Sequence, residues 1–305
     1  MRAFANEASG VGAHSEGCGT LARGDGAHAE GGLTIAQGDW SHAEGARTQA
    51  LGINSHAEGW RTLASASVSH AEGNNTTASG RFGSHAEGEF TEAAGDSSHA
   101  EGRGTLAYKA GDHAEGGYTI ARGSDSHAEG YYTVASGGNA HAEGSYTNAV
   151  NYNSHAEGKY TIASGYASHA EGQCQNNTLE LRINYTAGLK TCTYYGTNLK
   201  AQIGDFLKYN NIVSKITNIN TSTNTITLDT SLSDTDTLES IIAYIIQADN
   251  GGAHGDYSHA EGYSATAKGK ASHAEGNTVK AQGDYSHAEG SLTRVEGTAA
   301  HAEGC

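Results

Sequence analysis

The sequence has no proline and a single methionine, and its four cysteines, Cys18, Cys174, Cys192 and Cys305, lie far apart. Their spacing matches no zinc motif, although it leaves a Cys174–Cys192 disulfide open. Asp and Glu outnumber Lys and Arg by 34 to 18, which disfavours nucleic acid as a partner because phosphates need clustered basic residues. No apolar run reaches the roughly 18 residues of a membrane span, and no apolar signal-peptide core follows the first residues.

What the sequence has instead is one five-residue phrase, Ser-His-Ala-Glu-Gly, that returns with a period of 14 residues. Its histidines run from His14 to His169, with one step of 15 after His70, and resume from His259 to His301. The phrase contains 16 of the 17 histidines. A fixed period over most of a chain is the signature of a repeat architecture. We therefore predict an all-β fold, a parallel β-solenoid with 14 residues per coil.

Each period divides into two halves that end in glycine, one reading Ser-His-Ala-Glu-Gly and the other Thr-x-Ala-x-Gly. Side chains alternate between the faces of a strand. Ser, Ala and Gly therefore share one face of the first half, and His and Glu share the other. The small residues predict the inside of a flat roll with two short strands per coil. The glycines are expected at tight corners, where φ is often positive.

The His–Glu face is the same in every coil, whereas the outward positions of the second half vary, as in Leu21, Ile35 and Gln49. A surface that met only solvent would be free to vary, so we expect a uniform partner along its length. The simplest such partner is another copy of the same roll. The residues predicted to form this interface are His28, Glu30, His42, Glu44, His56, Glu58, His113, Glu115, His127, Glu129, His141, Glu143, His155, Glu157, His273 and Glu275.

Over residues 8–174 and 253–305 the pattern resembles the head repeat of trimeric autotransporter adhesins, which has Ser-Val-Ala-Ile-Gly where this chain has Ser-His-Ala-Glu-Gly. It is closer still to the Ser-His-Ala-Glu-Gly repeats of phage and prophage tail-fibre proteins. The resemblance implies a left-handed β-roll and a homotrimer whose His–Glu positions face a three-fold axis. It also implies a location in the virion tail or at the extracellular cell surface. Because His and Glu replace Val and Ile, the implied interface is polar.

Three roles for the His–Glu positions remain open. Each histidine can pair with a glutamate of its own or a neighbouring chain and so fix the register. Alternatively, rings of three axial histidines bind an occasional metal ion, or His and Glu form an acid–base pair. Sixteen copies indicate construction, so we predict no enzyme, no catalytic residues and no cofactor apart from such an occasional metal. If the glutamates keep the histidines protonated, we expect the histidine pKa to be raised and the glutamate pKa to be lowered.

The position before the threonine carries an aromatic residue in several coils: Phe90, Tyr118, Tyr132, Tyr146 and Tyr160. Successive coils place these rings about 4.8 Å apart, which predicts an aromatic ladder on the outer surface. Self-stacking that stiffens the sheet is one interpretation. A strip that contacts a glycan is the other.

The step of 90 residues from His169 to His259 locates an insertion. We predict coils over residues 1–174, an inserted β-domain over residues 175–252 and coils again over residues 253–305. Alternating segments such as Leu179–Ile183 and Thr225–Asp229 predict strands, and five or six such strands suggest a small barrel or sandwich. Because the insertion interrupts the second half of a coil, it is expected to lie away from the His–Glu face.

These observations favour a structural or adhesive fibre segment that attaches to a host or surface, with a cell-surface glycan or protein receptor as the partner. No nucleic acid and no inserted membrane is expected. The alternative is a self-assembling extracellular filament, because repeat sequence without a distinct cap leaves strand edges that invite pairing.

Overall fold

The structure, a computed structural model, describes residues 5–174, 178–195, 199–209, 212–232, 237–246 and 251–304. Every helix or strand assigned within these ranges is a β-strand. None of the described residues belongs to a helix long and apolar enough to cross a membrane. The prediction of an all-β parallel solenoid is confirmed, because each coil pairs in parallel with a coil 14 residues further on, as His28 does with His42.

The chain divides into a first compact unit that ends at His141 and a second that begins at Ala142. In the first unit each coil supplies one long and one short strand. The long strands are β2 (His14–Cys18), β4 (His28–Gly32), β6 (His42–Ala46), β8 (His56–Trp60), β10 (His70–Asn74), β12 (His85–Glu89), β14 (His99–Arg103), β16 (His113–Gly117) and β18 (His127–Tyr131). The short strands are β1 (Glu7–Ala8), β3 (Leu21–Ala22), β5 (Ile35–Ala36), β7 (Gln49–Ala50), β9 (Leu63–Ala64), β11 (Thr77–Ala78), β13 (Glu92–Ala93), β15 (Leu106–Ala107), β17 (Ile120–Ala121) and β19 (Val134–Ala135). Long strands pair only with long strands, and short strands with short strands.

The second unit contains further coils and a separate group of strands. Its long coil strands are β20 (His141–Ser145), β22 (His155–Lys159), β24 (His169–Gln173), β32 (His259–Tyr263), β34 (His273–Asn277), β36 (His287–Ser291) and β38 (His301–Glu303). Its short coil strands are β21 (Asn148–Ala149), β23 (Ile162–Ala163), β31 (Gly252–Ala253), β33 (Thr266–Ala267), β35 (Lys280–Ala281) and β37 (Arg294–Val295). The remaining strands are β25 (Thr178–Tyr185), β26 (Thr191–Tyr194), β27 (Phe206–Tyr209), β28 (Ile212–Asn220), β29 (Thr225–Leu228) and β30 (Leu238–Ile246).

The inside of the coils is built from small residues, as predicted. Ala29 and Ala43 of the long strands and Thr34 beside them have no exposed surface. The serine before each histidine is also buried, and its hydroxyl donates to a carbonyl three residues earlier, as Ser41 does to Gly38 at 2.6 Å. Ala, Ser and Thr therefore leave little space between the two sheets, and larger side chains have no room there.

The prediction that glycines form the corners is wrong for the second half of the coil. The left-handed conformation lies at residues such as Leu33 and Trp40, both with φ of 58°. Gly38 does not have a positive φ, but a Cβ there would collide with the backbone of Gly52 in the next coil. Gly45 of the long strand has φ of 101°, and a Cβ there would collide with the carbonyl of Gly59. Close approach of stacked coils, more than corner geometry, therefore requires these glycines.

Two irregular coils are accommodated locally. The extra residue of the 15-residue step lies in a corner where Phe82 and Gly83 both have positive φ, in agreement with the predicted bulge. In the next coil Asp112 replaces the buried serine and is 1% exposed. Its carboxylate accepts hydrogen bonds from the Lys109 amide at 2.8 Å and the Ser126 hydroxyl at 2.8 Å. Burial raises the pKa of Asp112 despite these hydrogen bonds.

Strands β25 to β30 form a closed antiparallel barrel in the order β25-β26-β29-β28-β27-β30. Within the predicted inserted segment, residues 175–177, 196–198, 210–211, 233–236 and 247–250 lie outside the described residues. The barrel core consists of large apolar side chains, including Ile183, Leu207, Ile216 and Ile226. The sequence patterns anticipated four of the six strands and missed β26 and β27.

The barrel lies against the short-strand side of the coils within the second unit. Phe206 of β27 is fully buried against Ile162 and Val150, and its ring centroid is 5.4 Å from that of His254. Lys208 lies over the Tyr146 ring with its Nζ 5.5 Å from the ring centroid, and burial lowers the pKa of Lys208. These contacts use no residue of the His–Glu face.

The cysteines form no disulfide among the described residues. Cys18, Cys174 and Cys192 are free thiols, so a Cys174–Cys192 disulfide is not present, and Cys305 lies outside the described residues. Burial raises the pKa of Cys174 to about 12 and that of Cys192 to about 12. Both therefore act as small apolar core residues.

Candidate functional site

The predicted interface residues all lie on the long coil strands, where histidine is the first residue and glutamate the third. Parallel pairing places like residues on top of one another, as in the registers His70 to His85 and Glu72 to Glu87. We call this double row the His–Glu ladder. The alanine between the two residues points inward, so His and Glu point outward. In the His56–Glu58 pair the side chains are 36% and 38% exposed, which leaves the single chain with a half-covered face.

The imidazole rings of the ladder stack along each unit. The centroids of His56 and His70 are 4.8 Å apart with ring planes 4° from parallel. The spacing barely changes along the ladder, whereas the angle does. His85 and His99 are 4.9 Å apart and tilted by 39°. The strand spacing therefore sets the ring separation, while rotation about the side-chain bonds remains available.

Histidine and glutamate of one strand lie close without forming a good hydrogen bond. The distance from Nε2 to Oε2 is 3.3 Å in the His56–Glu58 pair and 3.6 Å in the His127–Glu129 pair. N–H···O hydrogen bonds usually measure about 2.7–3.2 Å. Nε2 is shielded from solvent without a hydrogen-bond partner at His28, His42, His56, His70, His85, His99, His113, His127, His169, His259, His273 and His287. Pairing within one chain therefore does not satisfy the ladder.

The electrostatics of the single chain oppose the expectation of protonated histidines. The pKa of His56 is lowered, first by burial and then by its stacked neighbours His42 and His70, with Glu58 acting in the opposite direction. The pKa is lowered for the same kinds of reason at His85, His113, His169 and His273. Burial and neighbouring glutamates raise the pKa of Glu171. The expected directions were therefore wrong, because like charges one coil apart repel and burial penalises each charge.

The predicted aromatic strip lies at a left-handed corner of the coil. Tyr118 and Tyr132 are stacked with centroids 4.9 Å apart, as are Tyr146 and Tyr160 at 5.1 Å. Phe90 is 54% exposed. Rings stacked in this way cover each other's faces, so a sugar ring would meet mainly their edges. This geometry favours the stiffening role for the stacked tyrosines and leaves Phe90 as the most accessible member.

Sequence reasoning missed the cations beside these rings. The Arg61 guanidinium lies 4.3 Å from the Trp60 ring centroid, Arg103 lies 5.7 Å from Tyr118, and Lys159 lies 5.4 Å from Tyr160. The signal was present in the sequence, because each cation is next to an aromatic corner residue or one coil before it. The corner thus presents aromatic edges with positive charge on an otherwise acidic chain.

The fold and the ladder define a β-solenoid repeat protein. No protein-family model matches the chain, and no curated protein matches its sequence.

Proposed function

We propose that the chain is a structural, adhesive fibre segment, of the phage tail-fibre or surface-adhesin kind, that attaches to a host cell or surface. The observation that carries this proposal is the His–Glu ladder. Its residues repeat in register on every described long strand except at Ser15, which replaces the inward alanine. The outward residues of the short strands change from coil to coil. A repeated, half-covered face on a regular solenoid suits a lengthwise contact with an identical molecule.

The unsatisfied ladder atoms give this contact a physical reason. A polar atom shielded from water without a partner costs roughly 1–3 kcal/mol. The Nε2 atoms of His99 and His113 are both in this position. A second copy facing the ladder would bring carboxylates and imidazoles against them. Three copies around an axis, as the resemblance to trimeric adhesins implies, would complete the ladder on every chain.

Attachment would then use the surfaces that the ladder leaves free. In a trimer the aromatic corner and the barrel would each be present three times, so that weak contacts add up to a strong one through avidity. The partner we propose is a cell-surface glycan or a protein receptor, and the location is the virion tail or the extracellular surface. The chain holds no described residue that we assign to catalysis.

The assembly is tested by the native mass of the purified chain, measured by light scattering at neutral pH. A mass near three times 31.4 kDa is expected. A monomer would contradict the proposal, and much larger species would favour the filament instead.

The adhesive role needs a separate test with the assembled protein. Fluorescent beads coated with the chain would be applied to a panel of bacterial surface glycans and intact cells. Saturable retention, reduced by Phe90→Ser but not by the matched exposed change Phe82→Ser, would support attachment through the aromatic corner. Retention of neither protein on any surface would contradict it.

A further inference from the structure

The ladder places two imidazoles and one carboxylate together within a single chain, between one coil and the next. In the group of His70, Glu72 and His85 the candidate ligand atoms all lie within 4.8 Å of one another. Equivalent groups are formed by His28, Glu30 and His42 and by His169, Glu171 and His259. Each group contains residues of one unit only.

The distance between nitrogen and oxygen in these groups suits a shared metal ion better than a hydrogen bond. The Nε2–Oε2 distance is 3.6 Å for His70 and Glu72 and 3.4 Å for His169 and Glu171. Two ligands bound to one tetrahedral zinc ion at about 2.0–2.1 Å are separated by about 3.3 Å. The pair is therefore already spaced to bind one ion with little movement.

The second imidazole needs a larger adjustment, and the ladder has the freedom to make it. Metal–nitrogen bonds lie in the plane of the imidazole ring, so rings stacked face to face must tilt toward a common ion. His42 and His56 are tilted by 34°, and His85 and His99 by 39°, with no change in centroid spacing. The Nε2 atoms of His70 and His85 have no hydrogen-bond partner that would have to be broken.

We propose that the ladder binds divalent zinc, or a similar transition-metal ion such as cobalt or nickel, between successive coils of one chain. The ligands are Nε2 of one histidine, the carboxylate of the glutamate two residues on, and Nε2 of the histidine in the next coil. Three protein ligands leave one tetrahedral position for water or for a group from another molecule. This site differs from a ring of three histidines on an axis, because it needs a glutamate and no second chain.

Sharing of histidines limits the occupancy. His169 belongs to the group with Glu157 and also to the group with Glu171, so the two groups cannot be filled together. Since each ion takes two of the 16 histidines of the ladder, the sites fill at most every second coil, which corresponds to at most eight ions per chain. Groups without a shared histidine, such as those of Glu30, Glu72 and Glu171, can be filled together.

The test is a titration of the chelator-stripped chain with cobalt(II), followed by the visible absorption of tetrahedral cobalt and by the metal retained after desalting. The folded chain should show the tetrahedral spectrum and retain several ions, and zinc should displace them. The triple variant E30Q/E72Q/E171Q, which keeps side-chain size, should retain about three fewer ions per chain. The matched control E7Q/E92Q/E296Q removes three carboxylates outside the ladder and should retain as many ions as the original chain.

Three results would overturn the proposal. The first is a folded chain that retains no cobalt. The second is equal retention by the triple variant and its control, which would assign binding to histidines alone. The third is the same spectrum from the urea-unfolded chain, which would show that 16 histidines bind the metal without any preformed site. Circular dichroism of both variants confirms that they remain folded.

Discussion

The coils and the barrel of this chain solve the problem of a core in opposite ways. The barrel buries Ile183, Ile216 and Ile226, large side chains that exclude water in the usual manner. The coils bury alanine, serine and threonine, as at Ala100 and Thr105. A coil side chain removes little apolar area, so stability there must come from the hydrogen-bonded ladders and from close backbone contact. The barrel depends on the size of its side chains, whereas the coils depend on the absence of size.

The same difference explains how each region tolerates change. A barrel closes on itself and has a fixed number of strands. A coil contacts mainly the coils before and after it, so coils can be added, or a domain inserted, without altering the rest. The barrel begins after β24 and ends before β31, and Ala163 of β23 still pairs with Ala253 of β31. The insertion therefore leaves the parallel pairing of the coils intact.

Removing bulk from the barrel should have the largest effect. Ile216→Ala empties a position with no exposed surface and should lower the free energy of unfolding by about 2–5 kcal/mol. Calorimetry should show a lower transition for the barrel while the coil transition stays in place. The control is Ile203→Ala at a side chain that is 65% exposed. Equal losses in the two variants would remove the basis for the comparison.

Adding bulk to a coil is the reciprocal change. Ala100→Leu places a larger side chain where the structure has no space, and overpacking should cost about 1–3 kcal/mol. The outward change Glu92→Leu serves as the control, because the neighbouring coil already carries Leu106 there, and it should alter stability by less than about 0.5 kcal/mol. The comparison would be wrong if Ala100→Leu left the coil transition unchanged.

Acidification should separate the two regions further. The pKa of ladder histidines such as His56 and His113 is lowered from the ordinary 6.5. Their stabilising contribution is therefore complete above pH 6.5 and is lost as the pH falls toward the lowered pKa, because the unfolded chain then binds more protons. Residues 175–252 contain no histidine, so the barrel transition should move less.

This prediction is measured as melting temperature between about pH 7.5 and about pH 5.5, in buffer with a chelator. Glu171 has the opposite sign, since its raised pKa adds stability at low pH that is lost as the pH rises above its ordinary 4.5. That window lies mostly below the range of the experiment. A coil transition that rises on acidification would contradict the single-chain electrostatics and would indicate that partner carboxylates raise the histidine pKa.

The smallest effect is expected at the corners. Arg61→Ala removes the guanidinium that lies over Trp60 and should lower stability by about 0.5–1 kcal/mol. Arg47→Ala is the matched control, because Arg47 has a similar left-handed conformation but follows Ala46 instead of an aromatic residue. Equal shifts in melting temperature for the two variants would show that the contact adds nothing.

Much of the fold could be predicted because the period of 14 and the alternation of small and polar residues act together. They identify two strands per coil, the inward Ala and Thr, and the outward His and Glu. The corners could not be predicted, because the left-handed residues Leu33 and Trp40 belong to no residue type that favours that conformation. Strands β26 and β27 were missed because each has only four residues, too few for a clear alternation.

The candidate site was predictable in position but not in chemistry. Strand alternation placed histidine and glutamate side by side, and that arrangement suggested charged pairs. The structure adds what a one-dimensional pattern lacks, namely that each imidazole lies 4.8 Å from another imidazole, as in His259 and His169. Proximity of like groups and partial burial reverse the expected pKa shifts.

The central proposal, that the ladder is the contact between copies, is tested most directly by cysteine cross-linking. In a Cys18→Ser, Cys305→Ser background, His113→Cys places a thiol on the ladder, and Leu106→Cys places one on the outer side of the adjacent short strand. Oxidation at neutral pH followed by denaturing electrophoresis should give covalently linked chains from His113→Cys and only single chains from Leu106→Cys. Cross-linking through Leu106→Cys alone, or through neither position, would contradict the account.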